Sequence, residues 1–166
     1  ATLPLTGEGA NVGNACKNGI TLALEHLPED LKNKISVELE DDGMISKNTV
    51  SAFNKLVDFS KVNAMISLTS GCSNSIAPLA EKKHIPLLAI ATDPKVHKDK
   101  KYVFSIWVTP ETESKLLAQE IIKRKIKKIA KITALHDMYT AINKPMDETF
   151  GDKVKTVFHE EYSPEA

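Results

Sequence analysis

The chain has few of the residues that mark several common classes of protein. Only two of its 166 residues are cysteine, Cys16 and Cys72, which are too few for a disulfide framework and lack the spacing of a metal site. Seven glycines are too few for flexible linkers, and aromatic residues make up 5% of the chain. Because no run of about 18 apolar residues occurs, the sequence predicts no membrane-spanning helix.

An excess of charge of either sign is also missing. Lys plus Arg and Asp plus Glu both number 22, so no overall field attracts a polyanion or an acidic membrane. The basic run Lys123-Arg124-Lys125-Ile126-Lys127-Lys128 is predicted to close a helix, whose dipole favours cations there. A nucleic-acid patch would need more aromatic residues. We therefore expect no nucleic-acid partner.

Short apolar runs alternate with amphipathic segments along the whole sequence. The predicted strands span residues 2–5, 35–40, 62–68, 85–90, 102–108, 129–135 and 156–162. Helices are predicted after the loop 7–11, at 46–59 with Ser46 as N-cap, at 73–83, after Thr109-Pro110, and near 142–154. Strands joined by helices form a parallel sheet, so the fold class is α/β with a doubly wound sheet. The predicted domains are 1–108 and 109–166, with the break between Trp107 and Pro110.

Residues at helical spacing define the predicted inner faces of three helices. The first face is Val12, Cys16, Ile20, Ala23, Leu24 and Leu27; the second is Val50, Phe53, Leu56 and Val57; the third is Leu116, Leu117, Ile121 and Ile122. With strand order 2-1-3-4, the helices that carry Cys16 and Cys72 lie on opposite faces of the sheet. We therefore expect two buried or half-buried thiols and no disulfide bond.

Ligands of open α/β sheets bind beyond the carboxyl ends of the strands. Three predicted loops lie there, at residues 6–13, 69–74 and 90–93. The second loop places the hydroxyls of Ser70 and Ser73 at a helix N-terminus, where free N–H groups attract a carboxylate. A simple serine N-cap would give the same pattern.

The sequence resembles the type I periplasmic binding-protein family, in its branch of leucine, isoleucine and valine receptors, over nearly its whole length. The matching pieces are Pro4-Leu5-Thr6-Gly7, Gly13, Asn18-Gly19-Ile20, Ala23, Val37-Glu38-Leu39-Glu40-Asp41-Asp42, Ala52, Lys55-Leu56-Val57, Thr69-Ser70-Gly71, Ala77-Pro78-Leu79-Ala80-Glu81, Ile85-Pro86-Leu87-Leu88, Ala91-Thr92-Asp93-Pro94 and Tyr102-Val103-Phe104.

The resemblance implies two doubly wound lobes, with an incomplete first lobe at 1–108 and the start of a second lobe at 109–166. It implies a solute-binding protein of an ABC transporter that is periplasmic or extracellular, binds an amino-acid-like ligand between its lobes and partners a membrane permease. No enzyme activity, cofactor or metal is implied. The sequence opens without a secretory signal, as a trimmed product would, and we expect it to be a fragment of a longer protein.

The resemblance also implies roles for five residues. Ser70, with Thr69 beside it, would bind the ligand carboxylate, and Thr92 would bind the amino-acid head group. The Ile90 carbonyl would accept from the ligand ammonium. Tyr139 would be the contact from the second lobe, although the family's usual Tyr-Gly step is missing there. We expect the chain alone to bind weakly and, because its sheet edges are open, to self-associate.

Two other classes of function remain open from the sequence. Gly7, Gly9 and Gly13 follow a strand and precede a helix, and Asp41 and Asp42 end the next strand, as in a dinucleotide-binding oxidoreductase domain. However, the glycine spacing is one residue longer than the usual fingerprint. The ligand-sensing domain of a receptor or regulator is the other alternative, since it shares the fold.

Hydrolytic catalysis has little support in the sequence. It has no G-x-S-x-G motif. The five histidines lack the spacing of metal ligands; they are His26, His84, His97, His136 and His159.

Overall fold

The computed structural model describes residues 1–135 and 137–163, and of residues 137–140 it describes the backbone alone. The chain packs as two compact units, Ala1–Trp107 and Val108–Ala166. Their assignment as a first lobe and the start of a second lobe stays a prediction. None of the described helices is long and apolar enough to cross a membrane.

The first unit alternates strands and helices as predicted. Its strands are β1 (Thr2–Leu3), β2 (Glu40–Asp41), β3 (Met65–Leu68), β4 (Leu87–Ile90) and β5 (Val103–Ser105). Its helices are α1 (Ala10–Glu25), α2 (Glu29–Lys32), α3 (Ser46–Asn54), a π-helical turn (Lys55–Phe59), α4 (Ser70–Lys83) and a 3₁₀ turn (Pro94–Val96).

The five strands form one parallel sheet in the order β2-β1-β3-β4-β5, which confirms the predicted order. β3 and β4 pair over their full length, from Met65 opposite Leu87 to Leu68 opposite Ile90. The strand predicted at 35–40 pairs only through Glu40 and Asp41, because β1 offers it two partner residues. The sheet therefore has a well-paired centre and a short edge.

The core of the first unit lies between the central strands and the helices α3 and α4. Phe53 and Leu56 are fully buried there, as the inner face of the helix predicted at 46–59 requires, and so is Ile76 of α4. Cys72 is buried and Cys16 is half-buried, and both are free thiols.

The predicted inner face of α1 is wrong at Val12 and Ala23. Val12 is 56% exposed and Ala23 is exposed, whereas Gly13 is the buried residue of this helix. The contact face runs from Gly13 through Cys16 and Ile20, and Val12 and Ala23 lie roughly a quarter turn from it. The closest approach of α1 to the sheet at Gly13 sets this rotation.

One predicted helix cap and one predicted helix start are also wrong. Ser46 is the first residue of α3 and does not cap it; its hydroxyl donates to the Gly71 carbonyl oxygen at 3.4 Å. The helix predicted from residue 73 begins at Ser70, because Oγ1 of Thr69 accepts from Cys72 N and caps the first turn.

The second unit contains α5 (Pro110–Lys123), β6 (Lys128–Ala134), α6 (Asp137–Phe150) and β7 (Lys155–Tyr162). The two strands pair in parallel, and the core consists of Ala118, Met146, Phe150 and Val154. Thr109 caps α5 as predicted, since its Oγ1 accepts from Thr112 N at 3.3 Å.

The predicted inner face of α5 is only half right. Ile121 and Ile122 pack against the core, but Leu116 and Leu117 are 59% and 50% exposed. The small residues Ser114 and Ala118 are the buried ones, which allows a close approach to α6. The face of α5 that meets the core is therefore formed by Ser114, Ala118, Ile121 and Ile122 and does not include the two leucines.

Candidate functional site

Three polar loops meet at the carboxyl edge of the first unit's sheet. They follow β1, β3 and β4, and these parallel strands end at one edge. Because β3 and β4 are neighbours, the start of α4 and the turn after β4 are brought side by side. This is the place where the sequence predicts a ligand site.

Ser70 connects two of these loops. Its Oγ accepts from the backbone N–H of Thr92 at 3.2 Å and of Asp93 at 3.1 Å. The same Oγ lies 3.3 Å from Thr92 Oγ1. With both acceptor positions filled, the hydroxyl of Ser70 keeps one proton to donate. The structure thus brings the predicted residues Ser70 and Thr92 into direct contact.

Thr69 adopts a backbone conformation that β-branched residues rarely take. Its φ is 73° and its ψ is 148°, and its N–H donates to the Ile90 carbonyl oxygen at 3.1 Å. The carbonyl predicted to receive a ligand ammonium therefore already accepts one hydrogen bond. One lone pair of that oxygen is left for a ligand.

The N-terminus of α4 lies next to these hydroxyls. The N–H groups of Ser70 and Gly71 are in the first turn, where no intrahelical partner exists. Together with the helix dipole they favour a carboxylate. Ser73 does not complete this shell as predicted, because its hydroxyl is buried and lies 2.7 Å from Ser67 Oγ.

Asn74 and Asp93 are polar residues of the site that the sequence analysis missed. Nδ2 of Asn74 donates to Oδ2 of Asp93 at 2.8 Å, and Oδ1 of Asp93 accepts from Lys95 N at 2.9 Å. The pair fixes the turn after β4, which presents its N–H groups to Ser70. The available signal was an Asp directly before a Pro, which is typical of a capped turn.

Asp41 organises the first loop in the same region. Its carboxylate accepts from Leu5 N at 2.8 Å, Gly43 N at 2.9 Å and the Thr6 hydroxyl at 2.6 Å. These hydrogen bonds, with that of Thr6 the strongest cause, lower the pKa of Asp41. An acid that binds a ribose would need free oxygens, but these oxygens are occupied by the loop.

The glycines of the first loop have a packing explanation. A Cβ at Gly13 would lie 1.9 Å from the Pro4 carbonyl oxygen, and one at Gly9 would lie 2.9 Å from Pro4 Cβ. They let α1 lie directly on the end of β1. The packing of α1 on β1 therefore accounts for Gly9 and Gly13 without a bound dinucleotide.

The side chain of Tyr139 and the whole of His136 lie outside the described residues. Burial raises the pKa of the Cys16 thiol, which disfavours a reactive thiolate. No group of three or more His, Cys, Asp or Glu side chains suited to a metal occurs among the residues that were described.

A family model described as a periplasmic binding protein matches residues 1–164, so the chain belongs to this family. No curated protein matches the chain.

Solved structures of solute-binding proteins share the fold. One from Rhodopseudomonas palustris BisB5, in complex with 3,4-dihydroxybenzoic acid, has 21% identity and a TM-score of 0.81 over 98% of this chain and 46% of that chain. LivJ from Streptococcus pneumoniae, in complex with isoleucine, has 22% identity and a TM-score of 0.81 over 99% of this chain and 49% of that chain.

The leucine-binding protein LivK from Thermotoga maritima has 25% identity and a TM-score of 0.74, over 96% of this chain and 47% of that chain. The chain thus spans about half the length of these similar proteins. The family and these structures are described as binding proteins rather than enzymes.

Proposed function

We propose that this chain is the ligand-binding part of a solute-binding protein that serves an ABC transporter, and that it binds the carboxylate of a small amino-acid-like ligand. The observation that carries the proposal is the convergence of Ser70, Thr92 and the first turn of α4. Family membership supports the class of function, and the hydroxyl cluster supports the chemistry of the ligand.

A carboxylate fits this place for a physical reason. The N–H groups of Ser70 and Gly71, the Ser70 hydroxyl and the positive end of the α4 dipole all offer donors or positive potential. Because Ser70 and Thr92 are half-buried, a hydrogen bond to a charged group there is stronger than at an exposed surface. The free lone pair of the Ile90 carbonyl then suits the ammonium of an amino acid.

The similar structures support the same ligand chemistry. One of them is a complex with isoleucine and another is a complex with 3,4-dihydroxybenzoic acid, and both molecules carry a carboxylate. The proposal extends to a permease of the ABC transporter as partner and to a periplasmic or extracellular location. The rest of the binding cleft is assigned to a second lobe, with Tyr139 as its proposed contact.

A thermal-shift screen of a two-lobed protein containing this chain tests the proposal. The panel consists of L-isoleucine, L-leucine, other L-amino acids and 3,4-dihydroxybenzoate. We expect at least one of them to raise the melting temperature, and Ser70→Ala and Thr92→Val to remove that increase. Ser51→Ala, at an exposed site on α3, is the control and should keep it. A panel without any increase would refute the proposed ligand class.

A further inference from the structure

The amino-terminal edge of the second unit's sheet carries a concentration of lysines. Lys125 and Lys127 precede β6, Lys153 precedes β7, and Lys128 and Lys155 are the first residues of these two strands; all five are exposed. We call these five residues the basic edge. None of them has an ion-pair partner within the described part of the chain, whereas the neighbouring Arg124 and Lys123 pair with Glu120.

The arrangement places like charges directly against each other. Lys128 and Lys155 are register partners on the parallel strands β6 and β7, so their side chains leave the same face of the sheet. Like charges at such positions destabilise a sheet. Asp152 is the nearby acid, but it forms no ion pair among the residues described. The repulsion is therefore left uncompensated.

A second unfavourable feature, a left-handed backbone conformation at a lysine, occurs at the end of α5. Lys125 has a φ of 60°, and its N–H and that of Ile126 donate to Ile122 O at 2.9 Å and Ile121 O at 3.2 Å. This is the position where a helix commonly ends on glycine. Lys125 is exposed at this turn, and Ile126, 40% exposed, lies between Lys125 and Lys127 in the sequence.

From these observations we infer that the basic edge is an interaction surface for a membrane that contains anionic lipids. All five cations are lysines, which act as point charges and suit a diffuse negative surface. The exposed Ile126 can enter the interfacial region of a bilayer. Among the described residues of the basic edge no aromatic side chain is available to stack on a base, which disfavours single-stranded nucleic acid.

The inference does not depend on the hydroxyl cluster of Ser70 and Thr92, which lies in the other unit. Attraction of this kind weakens steeply with salt, because it acts within a Debye length of the surface.

Vesicle sedimentation tests the inference with the full chain. The wild type should bind phosphatidylcholine vesicles with 30% phosphatidylglycerol at low salt, and pure phosphatidylcholine vesicles at least tenfold more weakly. The triple variant Lys125→Gln/Lys127→Gln/Lys153→Gln should lose roughly a hundredfold in affinity for the anionic vesicles. The matched control Lys17→Gln/Lys47→Gln/Lys98→Gln, with the same net charge, should lose less than threefold.

A further variant separates binding from folding. Lys155→Glu sets an opposite charge against Lys128, so it should raise resistance to urea while it weakens vesicle binding. Three results would overturn the inference: equal binding to both kinds of vesicle, an equal loss in the control triple variant, or tighter binding of the wild type to oligo-dT than to anionic vesicles.

Discussion

The Oγ atom of Ser70 lies 3.2 Å from the backbone nitrogen of Thr92, although 22 residues separate the two along the chain. This contact joins the first turn of α4 to the turn after β4. It also leaves the hydroxyl proton of Ser70 as the one group of that side chain able to donate to a ligand. The stability of the carboxyl edge of the first unit's sheet and its capacity to bind a ligand therefore depend on the same atom, Oγ of Ser70.

Ser70→Ala should lower the free energy of unfolding by about 2 kcal/mol, because two backbone N–H groups lose their acceptor. Urea denaturation followed by circular dichroism measures this. The control is Ser51→Ala, whose hydroxyl bonds only the preceding turn of α3. It should change stability by less than about 0.5 kcal/mol. Equal losses in the two variants would contradict the bridging role of Ser70.

Gly13→Ala should destabilise the protein by about 3 kcal/mol or more, because the new Cβ would meet the Pro4 carbonyl oxygen at 1.9 Å. Gly19→Ala in the same helix meets nothing within 4 Å and should stabilise by roughly 0.5–1 kcal/mol through helix propensity. Thermal unfolding of the two variants compares them directly. A tolerated Gly13→Ala would show that α1 does not lie on β1 as closely as described.

Thr69→Gly should stabilise the chain by about 1 kcal/mol, because glycine relieves the positive φ, while the loss of the Oγ1 cap costs only a few tenths of a kcal/mol. Thr109→Gly is the matched control: it also removes a threonine N-cap, but its φ is −77°. That variant should lose a few tenths of a kcal/mol. Chemical denaturation distinguishes the two signs, and destabilisation by both variants would exclude backbone strain at Thr69.

The neighbouring acids Asp41 and Asp42 should respond to pH in opposite ways. Burial raises the pKa of Asp42, whose Oδ2 has no hydrogen-bond partner among the described residues. The favourable contribution of Asp42 to the free energy of unfolding is complete below its unfolded-state pKa of about 3.9. It is lost as the pH rises through its folded-state pKa. Asp42→Asn should therefore stabilise the protein at pH 7.

The pKa of Asp41 shifts in the opposite direction. Hydrogen bonds lower it, and that of the Thr6 hydroxyl is the strongest cause. The favourable contribution of Asp41 to the free energy of unfolding is present above its unfolded-state pKa. It is lost as the pH falls through its folded-state pKa. Asp41→Asn should destabilise the protein at pH 7 and change little at acidic pH. Urea unfolding between pH 3 and pH 7 tests both variants, and parallel curves for the two would contradict the assignment.

The sequence predicted the fold where hydrophobic spacing and strand order decide it. The α/β class and the burial of Phe53 and Leu56 follow from local pattern, and the strand order follows from the topology of doubly wound sheets. The rotation of α1 and α5 does not, because it depends on where small residues permit close contact. Gly13 and Ala118 set those contacts, and apolar periodicity gives such residues little weight.

The sequence predicted where the candidate site lies, but it did not predict the contacts between the side chains that form it. Hydroxyls after β3 indicated the start of α4, and family resemblance pointed to Ser70 and Thr92. Ser70 contacts the Asp93 N–H and Asn74 contacts the Asp93 carboxylate across 23 and 19 residues of sequence. Ser73 is buried against Ser67, which precedes it in β3. No local pattern encodes them.

Calorimetric titration of a two-lobed protein containing this chain, with a carboxylate ligand and with its methyl ester, tests whether the ligand is held by its carboxylate. The acid should bind at least about a hundredfold more tightly than the ester, because two or more hydrogen bonds to a charged group are lost. Ser70→Ala should reduce that difference. Equal affinities for acid and ester, unchanged by Ser70→Ala, would show that the ligand is not held by its carboxylate at the start of α4.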